Sequence, residues 1–177
     1  GVFGDARVIH VTDSPEGVSA TAQTAECVVG GIGAVLAAWA DHAGEVADHG
    51  PWIERLTEAE ATARAGDAQL LAAEGDPIMP TRVYGELTKV LDRDAVVICD
   101  GGDFVSYAGK YVDSHLPGRW LDPGPFGCLG TGMGYAMAAR VAHPDAQVVV
   151  LMGDGAAGFS LMDVESLVRE RLPVVIL

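Results

Sequence analysis

Five apolar residues, Val148-Val149-Val150-Leu151-Met152, stop at Gly153-Asp154-Gly155, and the chain returns at Pro173 to a second apolar run, Val174-Val175-Ile176-Leu177. Between them Leu161, Val164, Leu167, Val168 and Leu172 recur at helical spacing. Ser160 stands three residues before Asp163, a capping-box pattern in its Asp form, and Pro173 stops the helix. The unit reads strand, Gly-Asp-Gly, helix, strand, and this fits a parallel pair joined by a crossover. The same letters admit a tight hairpin, because Asp-Gly between apolar runs is a strong turn signal, but the helical periodicity argues against it. In an open parallel sheet, ligands lie outside the carboxyl ends of the strands. There Asp154 would offer a carboxylate to a hard cation such as Mg²⁺, which takes oxygen ligands and keeps substrate phosphate in its shell. Gly153 and Gly155 would let a bulky anion approach the backbone.

A second strand, Ala95 to Cys99, ends in the same chemistry, Asp100-Gly101-Gly102-Asp103, so the two ends are expected to share one ligand. The alternative is a tight turn whose aspartates cap a helix. A third glycine-rich stretch, Gly124 to Ala136, leads into a small-residue helix ending at His143-Pro144. Its glycines permit close approach of a flat cofactor, and Leu129, the large residue in its middle, stands as a support for a ring or as core. His10, His42, His49, His115 and His143 show no metal-ligand spacing, and Gly158-Phe159-Ser160 lacks a nucleophile elbow, so Ser160 reads as a helix cap.

With 177 residues, 49% of them hydrophobic, the chain has ample material for a core. Its 25 acidic against 11 basic residues give a net charge of -14, which repels phosphate backbones and excludes a large nucleic-acid surface. No run reaches the length of a membrane span and no signal peptide is evident, so a cytoplasmic protein without a membrane partner is expected. Cys27, Cys99 and Cys128 are odd in number and far apart, each expected as a small core residue rather than part of a disulfide or zinc site.

The fold class is α/β, in three parts. Residues 1–50 read as the C-terminal part of a Rossmann-like domain, with a strand at Ala6 to Val11, an apolar run at Cys27 to Val29, and Ile32, Val35, Leu36 and Trp39 on one helical face. Its Gly-rich first turn is missing, so an upstream portion is expected. Residues 51–75, charged and alanine-rich, read as an exposed connecting helix. Residues 76–177 open a parallel-sheet domain, with a helix from Thr81 to Leu91 and strands at Ala95 to Cys99, Val148 to Met152 and Pro173 to Leu177.

Gly153-Asp154-Gly155, with Gly158 to Glu165 and the returning Leu172 to Val175, resembles the thiamine diphosphate-binding motif of the acetolactate synthase superfamily, and Phe126 to Ala136 strengthens the match. Within it the chain is most similar to acetolactate synthase large subunits of the IlvG type, and also similar to oxalyl-CoA decarboxylase and 2-hydroxyacyl-CoA lyase. Residues 76–177 carry the resemblance well and residues 1–45 more loosely. It implies a truncated pyrophosphate domain after a central domain of FAD or ADP type, with Val8 to Pro15, including Asp13, at the nucleotide. It further implies a homodimer or homotetramer that decarboxylates one 2-keto acid and condenses the remainder with another, as in branched-chain amino acid biosynthesis. Asp154 would ligate Mg²⁺, the backbone of Gly155 and Ala156 with Gly153 would meet the diphosphate, and Gly102 and Asp103 would lie beside it. Leu129 would prop the bent cofactor while Gly127 contacts its pyrimidine. An asparagine ligand expected after Leu177 and a glutamate of the pyrimidine domain fall outside the chain, which alone is expected to be inactive. Phe104 stands where acetolactate synthases carry a polar residue. The alternatives are an acyl-CoA lyase or decarboxylase, and a non-catalytic nucleotide-binding module. Neither the residues nor the resemblance assigns a regulatory subunit.

Overall fold

The computed structural model describes residues 4–18, 24–44 and 47–177. The chain forms two compact units, Gly1–Thr57 and Glu58–Leu177. In the first, β1 (Val8–Thr12) pairs in parallel with β2 (Thr24–Val29), and the Gly30 N–H extends the pairing by donating to the Thr12 carbonyl at 2.8 Å. Helix α1 (Ile32–His42) follows, with Ile32, Leu36 and Trp39 of its expected apolar face exposed. The long α2 (Gly50–Leu71) has no buried residue among those described, as its charged, alanine-rich sequence led us to expect, and the boundary between the units falls within it.

The second unit is a four-stranded parallel sheet between two helical layers. Helix α3 (Pro80–Leu87) leads to β3 (Val96–Asp100), α4 (Asp103–Tyr111) and a two-residue strand β4 (Trp120–Leu121). Then come α5 (Gly132–Ala142), β5 (Val148–Met152), α6 (Asp154–Ser160), a 3-10 turn at Leu161–Asp163, α7 (Val164–Arg169) and β6 (Val175–Ile176). The strand order is β4-β3-β5-β6, every pair parallel. The hairpin alternative at Gly153-Asp154-Gly155 is thereby excluded. Instead β5 pairs with β3 in register from Val96↔Val148 to Asp100↔Met152.

All ten residues of β3 and β5 are buried, which is why both read as unbroken apolar runs rather than alternating ones. Their side chains still alternate in space. Val96, Ile98, Val148 and Val150 pack with Met133, Ala136 and Ala139 of α5 and Leu167 of α7. Val97, Cys99, Val149 and Leu151 pack on the opposite face with Tyr84 and Leu87 of α3 and Ala108 of α4. Small residues on α5 allow close packing of the helix on the sheet, and each fully buried branched side chain such as Ile98 contributes roughly 1.5–3 kcal/mol.

Several local expectations are corrected. Helix α3 ends at Leu87 rather than Leu91, although Leu91 still packs against the core. Ser160 makes no capping hydrogen bond. It closes α6 and precedes the 3-10 turn, its hydroxyl is buried without a partner, and the helix expected beyond it is split into that 3-10 turn and α7. The seven residues Asp-Gly-Ala-Ala-Gly-Phe-Ser of α6 carry no apolar periodicity, so the sequence pattern registered only the later turn. Cys99 is core as expected, but Cys27 and Cys128 are exposed, because short strand and glycine-loop surroundings supply no second layer to cover them.

Candidate functional site

The carboxyl ends of β3 and β5 lie side by side, and both chains turn there directly into helices. Asp103 is the first residue of α4 and Asp154 the first of α6, and both side chains are exposed. The first amides of such helices have no intrahelical acceptor and face outward from the strand ends. Gly102, Gly127 and Gly155 have no atom within 4 Å of where a Cβ would stand, so their backbone is open to a large ligand. Gly153 is half-buried, and the Ala156 side chain is packed into the core.

One residue joins the three glycine-rich segments. The Gly153 N–H donates to the Asp100 carbonyl at 2.9 Å, closing the two strand ends on each other. Gly101 lies at φ +133, and a Cβ there would stand 3.0 Å from the Gly153 nitrogen, so only glycine permits this approach. The Asp100 side chain, fully buried, accepts from the Gly130 N–H at 3.0 Å and from the Gly132 N–H at 2.6 Å. Asp100 faces inward to the backbone of the third loop, whereas Asp103, three residues on, is exposed.

The loop from β4 to α5 carries Leu129 on the same side of the sheet. Asp122 shapes its start, accepting from the Gly124 N–H at 2.7 Å and from the Trp120 indole N–H at 2.8 Å. Gly127 is left-handed at φ +60, and Leu129 is 44% exposed, hence free to touch a ligand. Gly130, at φ +87, packs against Phe159 of α6. Phe126, in the same loop, and Phe159, on the helix that Asp154 begins, are exposed as well. Phe104 turns toward the core, its ring 5.1 Å from that of Tyr84. Asp100 and Asp122 were missed as site organisers. For Asp122 the following Pro-Gly offered a turn signal, whereas nothing local marks Asp100 as a partner of residues thirty positions away.

The chemistry of these donors fits a cation-bound pyrophosphate. Two exposed carboxylates repel a diphosphate unless a divalent cation offsets the charge, and Mg²⁺ needs only one or two protein carboxylates when phosphate and water fill its shell. Among the described residues no group of three or more His, Cys, Asp or Glu side chains is placed to hold a metal, so a fully protein-built cage is not offered. In the first unit Asp13 is exposed just beyond β1, where the Thr12 hydroxyl donates to the Ser14 carbonyl at 3.0 Å. Among the described residues no helix is long and apolar enough to cross a membrane.

Residues 100–177 match the family described as thiamine pyrophosphate enzyme, C-terminal TPP binding domain. The chain is 48% identical over 176 residues to acetolactate synthase large subunit IlvG of Mycobacterium tuberculosis, covering 99% of this chain and 32% of that protein. It is 41% identical over 130 residues to human 2-hydroxyacyl-CoA lyase 2, covering 71% of this chain and 20% of that protein. For the lyase of Caenorhabditis elegans the identity is 35% over 126 residues, 70% of this chain and 20% of that protein. The chain thus spans about a third of the length of the acetolactate synthase relative and about a fifth of the lyases. With the glycine-bounded strand ends of a parallel α/β sheet and this likeness together, residues 100–177 belong to the thiamine pyrophosphate enzyme family as its C-terminal TPP binding domain.

Proposed function

We propose that the full-length protein is an acetolactate synthase that uses thiamine diphosphate and Mg²⁺ to decarboxylate one 2-keto acid and join the remainder to a second. The observation that carries this reading is the 48% identity to the acetolactate synthase large subunit along 99% of the chain. The exposed Asp154 at the end of β5 is its physical counterpart. When bound, thiamine diphosphate supplies the nucleophilic carbon and the electron sink for decarboxylation.

The residues of this chain hold and orient that group. Asp154 gives Mg²⁺ a carboxylate oxygen, while the backbone of Gly153, Gly155 and Ala156 borders the diphosphate. Gly102 and Asp103 flank it from the end of β3. Gly127 would present open backbone to the pyrimidine, and Leu129 would support the cofactor's rings. Exposed Phe126 in the loop that carries Leu129 and exposed Phe159 on α6 favour a second subunit closing over the site and excluding water, which makes a homodimer the minimum assembly. Asp13, just beyond β1, would border FAD or ADP.

A second reading, a lyase or decarboxylase acting on acyl-CoA substrates, is favoured by the 41% identity to the human lyase. Assay of the full-length protein separates the two. Acetolactate from pyruvate, with negligible turnover of 2-hydroxyacyl-CoA and oxalyl-CoA, is expected, and the reverse preference would overturn the leading reading. Calorimetric binding of adenine nucleotides without thiamine diphosphate would instead leave a non-catalytic nucleotide-binding module.

A further inference from the structure

We propose that Asp100 is a positioning residue for the cofactor, setting the distance between the loop that carries Leu129 and the turn that carries Asp154. The inference rests on the thiamine diphosphate reading above and adds a residue to it that touches no ligand.

A fully buried carboxylate requires hydrogen-bond donors, and this one finds them in the backbone of another segment, the N–H groups of Gly130 and Gly132. Those two amides bracket Thr131 and follow directly on Leu129, so the loop is anchored one residue beyond the side chain proposed to support the cofactor. The same residue's carbonyl accepts the Gly153 N–H, one residue before Asp154. Leu129 and Asp154 therefore share a single rigid reference point at the end of β3. A third contact closes the arrangement from the far side, since Gly130 lies against Phe159 on the helix that Asp154 begins. A cofactor held at its diphosphate by one segment and at its rings by another depends on the spacing between them, and supporting residues of this kind typically change affinity by about 10- to 100-fold when altered.

Asparagine at this position has one acceptor where two N–H groups need one each, so at least one amide loses its bond and faces an NH₂ group instead. In the full-length protein, Asp100→Asn is expected to weaken thiamine diphosphate binding in the presence of Mg²⁺ by about 10- to 100-fold by calorimetry. In the cofactor-free protein, amide exchange over residues 128–132 is expected to accelerate while the amides of β3 and β5 keep wild-type protection. A folded variant whose affinity stays within about twofold of wild type overturns the proposal. So does weaker binding accompanied by equal loss of protection across β3 and β5, because the residue would then act through overall stability alone. Should Asp100→Asn fail to fold, Gly132→Ala takes its place. It retains the carboxylate but sets a Cβ 3.0 Å from its Oδ2, and the same local loosening and weaker binding are expected. Failure of both variants to fold assigns Asp100 to the scaffold and overturns the proposal. Wild-type protein that binds no thiamine diphosphate overturns both this inference and the functional reading, whereas wild-type binding matched by the variant overturns this inference alone.

Discussion

Replacing Tyr84 by Phe removes one hydroxyl from the most enclosed aromatic side chain of the sheet domain. Tyr84 is 0% exposed, and its hydroxyl donates to the Phe104 carbonyl at 2.6 Å, across the face of the sheet to the first turn of α4. Its ring lies 5.1 Å from Phe104 and 6.5 Å from Tyr111, contacts that phenylalanine keeps. The Phe104 carbonyl also retains its own helical donor, so the loss is that of one hydrogen bond without an orphaned partner, about 1–1.5 kcal/mol. Tyr84→Ala also deletes the ring and leaves a cavity, at about 3–5 kcal/mol. Urea unfolding followed by circular dichroism should place the Phe variant about 0.5–1 M below wild type and the Ala variant well below that. Alkaline pH adds a signed check. Burial, with a smaller part from Cys99, raises the ionisation of Tyr84 far above its usual 10.0, so above that pH the folded state keeps a proton that the unfolded chain releases. Stability then falls with rising pH, and the advantage of wild type over Tyr84→Phe shrinks. Equal midpoints for wild type and both variants at neutral pH would refute the assignment of Tyr84 as the clamp between α3 and α4.

Cys99 should produce a related effect at lower pH. Burial, and secondarily the Asp122 carboxylate, push its thiol from 9.0 up to about 12, so stability is full below pH 9 and declines as pH rises toward 12, by up to about 1.4 kcal/mol per unit. Urea midpoints at pH 8 and pH 10 should show a decline that Cys99→Ala reduces. Gly130→Ala forces a side chain into a backbone at φ +87 and sets its Cβ 2.7 Å from the Cβ of Phe159, so a loss of about 2 kcal/mol or more is expected in the same assay.

What was legible in the sequence followed from how local its cause was. Strands β3 and β5 declared themselves because burial on both faces leaves an uninterrupted apolar run. The Gly-Asp-Gly turn between β5 and α6 was readable because it breaks an unbroken apolar run and helical periodicity follows before the next such run. Strand β4 escaped notice, since two residues, Trp120 and Leu121, are too few to show any alternation. The capping box at Ser160 was only half right: α6 had already begun at Asp154, so Ser160 joins the end of α6 to the start of the 3-10 turn and makes no side-chain cap bond. Asp100 looked like Asp154 in its setting, a strand-end acid before glycine, yet one is buried and the other exposed. That difference arises from the Gly130 to Gly132 backbone folding over Asp100, a contact between residues thirty apart that no window of sequence displays. The likeness to thiamine pyrophosphate enzymes needed only the spacing of the glycines and Asp154, whereas the division of labour among the acids required coordinates.

On the proposed reading, the exposed carboxylate of Asp154 at the end of β5 holds the divalent ion through which a diphosphate is bound. Calorimetric titration of thiamine diphosphate into the full-length protein, with and without Mg²⁺, for wild type and Asp154→Ala, tests it directly. Wild type should bind tightly only with Mg²⁺, and the variant should bind weakly with little response to the metal. Undiminished, Mg²⁺-dependent binding by Asp154→Ala would contradict the account.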